Sequence, residues 1–173
     1  QDLCKGMPHL YATCFPNQMQ QDPGLVHDFE AIYLEQIFQT TTVYDGIASV
    51  LSELTREASL AVVTNKPQRA TERLLEAAGL LSYFDVIVGG DRCEKPKPSS
   101  LPLIFARDYV ADGRQLMMVG DSLGDVRCGK ASEALTVWCN WGYWRHKDNE
   151  ADFSIEAPRE LIDIVNANHV LMK

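Results

Sequence analysis

Two carboxylates four residues apart, Asp121 and Asp125, follow directly on an apolar run in the segment LMMVGDSLGD at 116–125. Leu116, Met117, Met118 and Val119 are the residues a strand buried on both faces requires, and Gly120 ends it. Carboxylates at the carboxyl end of a parallel strand stand where α/β sheets place their ligands. Two hard oxygen donors there suit Mg²⁺, which takes one or two carboxylates and leaves its other positions to water and substrate phosphate. Two more strand ends carry residues of chemical use. LAVVTNKP at 60–67 ends in Thr64 and Asn65, a hydroxyl and an amide just before a helix start, where side chains and helix N–H groups together can bind an anion. A second run passes through Gly89, Gly90 and Asp91 to Lys95 and Lys97, each followed by proline. Such a braced loop can present an ammonium to phosphate as a fixed point charge.

Each piece has a simpler account. Thr64 or Asn65 can cap the next helix, and a loop lysine is usually solvated. Asp121 or Ser122 can be a cap too, with Asp125 in the first helical turn, where the macrodipole favours it. These accounts explain the residues singly. They do not explain why a hydroxyl, a lysine and paired acids appear in that order at three successive strand ends.

The elements that must position them alternate. Residues 1–43 are punctuated by Pro8, Pro16 and Pro23, and helical spacing of Leu25, Phe29, Ile32, Tyr33 and Ile37 predicts a helix over 23–40. After a turn at Tyr44, Asp45 and Gly46, the pattern predicts helices over 47–56, 68–78, 100–110, 123–132 and 158–166. It predicts strands over 60–64, 86–88, 116–119 and 135–139, with Gly79 as a helix C-terminal cap. Strands alternating with helices of this length predict an α/β fold: a Rossmann-like parallel sheet with helices on both faces. Gly129 interrupts one predicted helix, at a cost of about 1 kcal/mol relative to Ala. The aromatic loop at 140–149, with Trp141, Tyr143, Trp144, Arg145 and His146, offers a substrate-facing role, but packing over the sheet edge is the leading expectation.

Composition narrows the partners. At 173 residues the chain can bury one core, and its net charge of −8 argues against nucleic acid or an anionic membrane as the main partner. Five scattered cysteines with no C-x-x-C pair fit reduced thiols and a cytoplasmic setting. No apolar run approaches a membrane span. The chain begins with Gln, which suggests a start within a longer sequence.

The motifs VVTNKP at 62–67, FDVIVGGD at 84–91, KPKP at 95–98, VGDSLGD at 119–125 and NWGY at 140–143 together resemble the haloacid dehalogenase-like hydrolase superfamily, in its phosphoglycolate phosphatase-like group. The resemblance covers the region from Tyr44 to the C-terminus. It implies a HAD-like α/β core over 44–173 and a partial helical cap over 1–43. Thr64 would bind the transferring phosphoryl group with Asn65 beside it, and Lys95 would neutralise nucleophile and phosphate. Asp121 would ligate Mg²⁺ and Asp125 would support that metal. The implied substrate is a small phosphorylated metabolite, a phosphate monoester. These roles suit the residue types, because phosphoryl transfer depends on positive charge and metal placed where phosphate charge develops.

One part of the family pattern has no counterpart. The family opens with an apolar strand ending in D-x-D-x-T, whose first Asp is the nucleophile and whose second is the general acid and base. No D-x-D occurs in these 173 residues. The resemblance makes that strand the central one, between the strands predicted at 60–64 and 116–119, so its loss leaves two unpaired edges in mid-sheet. The segment His9–Phe15 has some β-character with which to fill the gap, but it carries no acid. The leading expectation is therefore a truncated, inactive version of a Mg²⁺-dependent phosphatase. The alternatives are a pseudoenzyme serving as a binding or regulatory module, and a phosphomutase.

Overall fold

The computed structural model describes residues 7–15, 24–110, 115–144 and 150–170. Two helices come first, α1 (Met7–Cys14) and α2 (Gly24–Thr40), then α3 (Ile47–Leu54). The alternating part follows as β1 (Ala61–Val63), α4 (Gln68–Ala77), β2 (Val86–Val88), α5 (Leu101–Val110), β3 (Met117–Gly120), α6 (Leu123–Ala131) and β4 (Leu135–Cys139). A short edge strand β5 (Phe153–Ile155) and α7 (Glu160–Val170) complete it. The predicted α/β alternation and every predicted element are present, with ends shifted by a few residues; α1 and β5 were not anticipated. Gly79 follows α4 at a φ of 69°, the left-handed conformation in which glycine ends helices without a Cβ penalty.

All strand pairs are parallel, but they form two sheets. β1 pairs with β2, in the register Ala61 to Val86 and Val63 to Val88. β3 pairs with β4, from Met117 to Leu135 through Gly120 to Trp138, and β4 pairs with β5. No ladder joins β1 to β3. Between them lies a cleft of about 990 Å³ lined by Ala61–Val63 on one side and by Met117–Gly120 on the other. The segment suggested as a filler, His9–Phe15, does not fill it: its residues through Cys14 belong to helix α1.

Side-chain packing joins the halves in place of a strand ladder. Val63 of β1 packs against the cluster of Leu103 from α5 with Met118 and Cys128. On the other side Val50 and Leu54 of α3 meet Ile162 of α7, with Leu60 against them. β3 is less enclosed than its composition suggests. Met118 is buried, whereas Val119 is 36% exposed beside the cleft, so the expectation of a strand buried on both faces fails at that residue.

Gly129 does not break α6. A Cβ there would stand 2.6 Å from Thr136 Cγ2 and 2.9 Å from Met118 Cβ, so the glycine lets the helix settle directly onto β3 and β4. The aromatic loop divides. Trp141 packs against Val137, Cys139 and Ile155 as expected, but Tyr143 is 81% exposed. Arg145 and His146 lie outside the described residues.

Candidate active site at the strand ends

The site is built where β1 and β3 both end. Ser122 caps α6: its Oγ accepts from Asp125 N at 3.2 Å, and Asp125 Oδ2 accepts from Ser122 N at 3.0 Å. The capping role of Asp125 is thus real, and it occupies only one carboxylate oxygen. The other, Oδ1, accepts from the Lys97 ammonium at 2.6 Å. The same Lys97 Nζ donates to the carbonyl of Val63 at 2.6 Å, so one ammonium bridges the end of β1 to the acid beyond β3. Both side chains are nearly buried, at 12% and 10% exposure.

The structure brings a different lysine to the strand ends. Lys95, expected at the phosphate, lies exposed on the loop, and Lys97 takes the interior place two residues on. Asn65 explains how. Its side-chain amide accepts from Lys97 N at 2.9 Å and donates to Lys97 O at 3.0 Å, gripping both faces of one residue's backbone. Asn65 was expected beside the phosphoryl group; its amide is instead committed to aiming Lys97.

Thr64 stands at the end of β1, and its N–H continues the ladder to Val88 O at 3.0 Å. Its Oγ1 accepts from Lys66 N at 3.1 Å, which leaves the hydroxyl proton free to be donated elsewhere. Gly90 lies so close to the Asn65 backbone that a Cβ would overlap its carbonyl, which holds the lysine loop against the Thr64 turn.

Asp121 sits at the tip of β3, half-buried. Its Oδ2 accepts from Tyr143 N at 2.5 Å, and its Oδ1 meets no donor among the described residues. Two glycines make room for the acids. A Cβ on Gly120 would overlap the Asp125 carboxyl, and one on Gly142 would overlap Asp121. Burial, then the charge of Asp121, then that of Asp125 push the Cys139 thiol up to about 12. The donors that Asp121 and Asp125 offer a metal here are carboxylate oxygens.

A divalent ion fits this donor set. No group of three or more His, Cys, Asp or Glu side chains forms a closed metal cage among the described residues. Mg²⁺ needs none, since one or two carboxylates suffice when water and substrate phosphate supply the rest. Asp121 Oδ1 is the available ligand; Asp125, held by Ser122 and Lys97, stands behind it.

Residues 7–139 match the family model described as haloacid dehalogenase-like hydrolase. The chain belongs to that family. It is 31% identical over 148 residues to a phosphoglycolate phosphatase of Aquifex aeolicus, covering 84% of this chain and 69% of the relative. It is 30% identical over 148 residues to the N-acetylmuramic acid 6-phosphate phosphatase of Pseudomonas aeruginosa, covering 82% and 66%. A solved structure from Haemophilus somnus, described as a predicted phosphoglycolate phosphatase, superposes with a TM-score of 0.83 at 20% identity, over 94% of this chain and 79% of that one. That likeness shows the fold. The first three curated relatives are matched over 69%, 61% and 54% of their own lengths. Within this HAD family the chain falls in the phosphoglycolate phosphatase-like group.

Proposed function

We propose that this chain carries the metal-holding and phosphate-holding parts of a Mg²⁺-dependent phosphatase for small phosphate monoesters, acting in the cytoplasm. The observation that carries the reading is the Lys97 ammonium, set between the end of β1 and Asp125 by the Asn65 clamp. Thr64 would donate its hydroxyl to a phosphoryl oxygen. Lys97 would hold negative charge at the transferring group, where removing one such donor from a preorganised site costs about 10²–10³ in rate. Asp121, supported by Asp125, would hold Mg²⁺, which supplies charge neutralisation on the phosphoryl oxygens when bound. The helical segment 1–43 would be part of a cap over this site. The relatives named above act on different phosphate esters by their names, and that supports the broad substrate class over any single ester.

The attacking carboxylate is not among these residues. The open cleft between β1 and β3, which reaches Asp121, supports an apolar strand with a terminal Asp entering there, as the family pattern implies. The test compares two proteins: the 173-residue chain, and the chain extended upstream by whatever its reading frame encodes. With para-nitrophenyl phosphate and Mg²⁺, the extended protein is expected to turn over and the 173-residue chain is not. In the extended protein Thr64→Ala and Lys97→Met are each expected to lose at least about 100-fold. Equal turnover by the shorter chain, or a start codon directly before Gln1 with a stable inactive product, overturns the truncated-phosphatase reading.

A further inference from the structure

Helix α2 packs against α4 and reaches the loop after β1 through Lys66. Phe29 of α2 meets Tyr11 and Phe15 edge-on at 5.4 and 5.8 Å, and stacks parallel to Tyr33 at 6.3 Å. Tyr33 ends that aromatic row, and its hydroxyl accepts from the ammonium of Lys66. The Lys66 Nζ lies 5.0 Å from the ring centroid, which together with the hydroxyl contact puts it beyond the phenol oxygen and not over the ring face. The contact is a hydrogen bond to a hydroxyl. No carboxylate among the described residues pairs with this ammonium, half-buried though it is.

The backbone of Lys66 is fixed while its side chain is not. Its N–H donates to Thr64 Oγ1 at 3.1 Å, and its carbonyl accepts from Gly90 N at 2.9 Å. Among the described residues the side chain's one hydrogen-bonded tether is therefore a phenol on another element. A hydrogen bond from an ammonium to an anionic oxygen is roughly twice as strong as one to a neutral acceptor. An oxyanion arriving at Thr64 would thus outcompete Tyr33 for the ammonium, two residues along the same turn.

We propose that Lys66 is an exchangeable latch, resting on the reading of Thr64 as a phosphate contact. Without an anion it ties α2 to the loop after β1. With a phosphate oxygen at Thr64, the ammonium leaves Tyr33 for the anion, and α2 loses that tie and is held by its packing on α4 alone. Anion occupancy and the position of the helical segment are then two readouts of one equilibrium.

The experiment uses the 173-residue chain with inorganic phosphate, measuring affinity by calorimetry and amide hydrogen exchange in peptides covering α2. Four proteins suffice: wild type, Tyr33→Phe, Lys66→Met and Thr64→Ala. Without phosphate, Y33F and K66M are expected to exchange faster over α2 than wild type, and T64A to match wild type. Phosphate is expected to speed α2 exchange in wild type and to leave K66M unchanged. Affinity should fall on the order of tenfold in K66M, which loses a charged donor, and rise about threefold in Y33F, which loses the competitor. A purely structural latch would move both variants' affinities alike, so affinity changes of the same sign overturn the proposal. Phosphate binding by wild type with no change over α2 also overturns it, and leaves the phosphate reading of Thr64 standing. No phosphate binding by wild type overturns both.

Discussion

Replacing Lys97 with methionine separates the two candidate lysines by energy. The substitution keeps most of the side chain's volume and removes the charge, leaving Asp125 Oδ1 and the Val63 carbonyl without their donor. Breaking a buried ion pair from one side typically costs about 3–5 kcal/mol. Two features place Lys97 at the low end. Both side chains retain about a tenth of their exposure, which admits water, and Asp125 keeps both of its Ser122 bonds. The expected loss is about 3 kcal/mol, against at most about 0.5 kcal/mol for Lys95→Met on the exposed side of the loop. In urea, with a slope of about 2 kcal/mol per molar, the first is a midpoint shift of about 1.5 M and the second is barely resolvable. Tryptophan fluorescence is a suitable probe, since Trp138 and Trp141 lie on or beside β4. The double variant Lys97→Met/Asp125→Asn should recover part of the loss, because no unpaired charge remains. Equal midpoints for K97M and K95M would refute the assignment of the bridging role to Lys97.

Two further outcomes follow from packing and charge away from the lysine. Gly129→Ala should destabilise the chain despite improving helix propensity by about 1 kcal/mol, because overpacking costs about 1–3 kcal/mol and the nearest atom cannot yield. That atom is a methyl of the buried Thr136, whose hydroxyl is held by Asp152 at 2.6 Å; a urea midpoint above wild type would contradict this. The Thr136 hydroxyl above all holds the Asp152 carboxyl below its ordinary value of 3.8; burial opposes it, and the Thr136 N–H and Lys130 add smaller lowering effects. A depressed carboxyl contributes stability above its unfolded pKa and loses it as pH falls through the folded one. Stability measured by urea titration should therefore fall more steeply below about pH 4 in wild type than in Asp152→Asn, and parallel acid limbs would contradict it.

The strong elements were legible because their signals are local. Apolar runs gave β1 to β4, and helical spacing gave α2 to α7, with Gly46 and Gly79 marking ends through chain geometry alone; α1 was missed, since His9–Phe15 was read as having β-character. β5 was missed because three residues with Ser154 in the middle carry no periodicity to read. The sequence did not single out the bridging lysine for a related reason. Lys95 and Lys97 are both followed by proline, and an irregular loop has no period that says which side chain turns inward. What decides it is Asn65, thirty-two residues upstream, whose two bonds to the Lys97 backbone exist only in the folded chain. Gly129 read as a defect in α6 for the same cause: its value lies in Thr136 and Met118, which sequence does not place next to it.

The Asn65 clamp has a consequence in conformational entropy. From Gly89 to Ser100 the chain has no helix or strand, and fixing each residue of such a stretch costs about 1–2 kcal/mol. Here that cost falls on folding. Gly89 N is held by Gln68 Oε1 at 2.7 Å, Asp91 accepts from Gln68 N at 2.7 Å, and Asn65 grips Lys97 on both sides. The loop is already ordered before any ligand arrives. A ligand meeting the Lys97 ammonium therefore has no loop to freeze, and the free energy of that encounter goes undiminished into holding it.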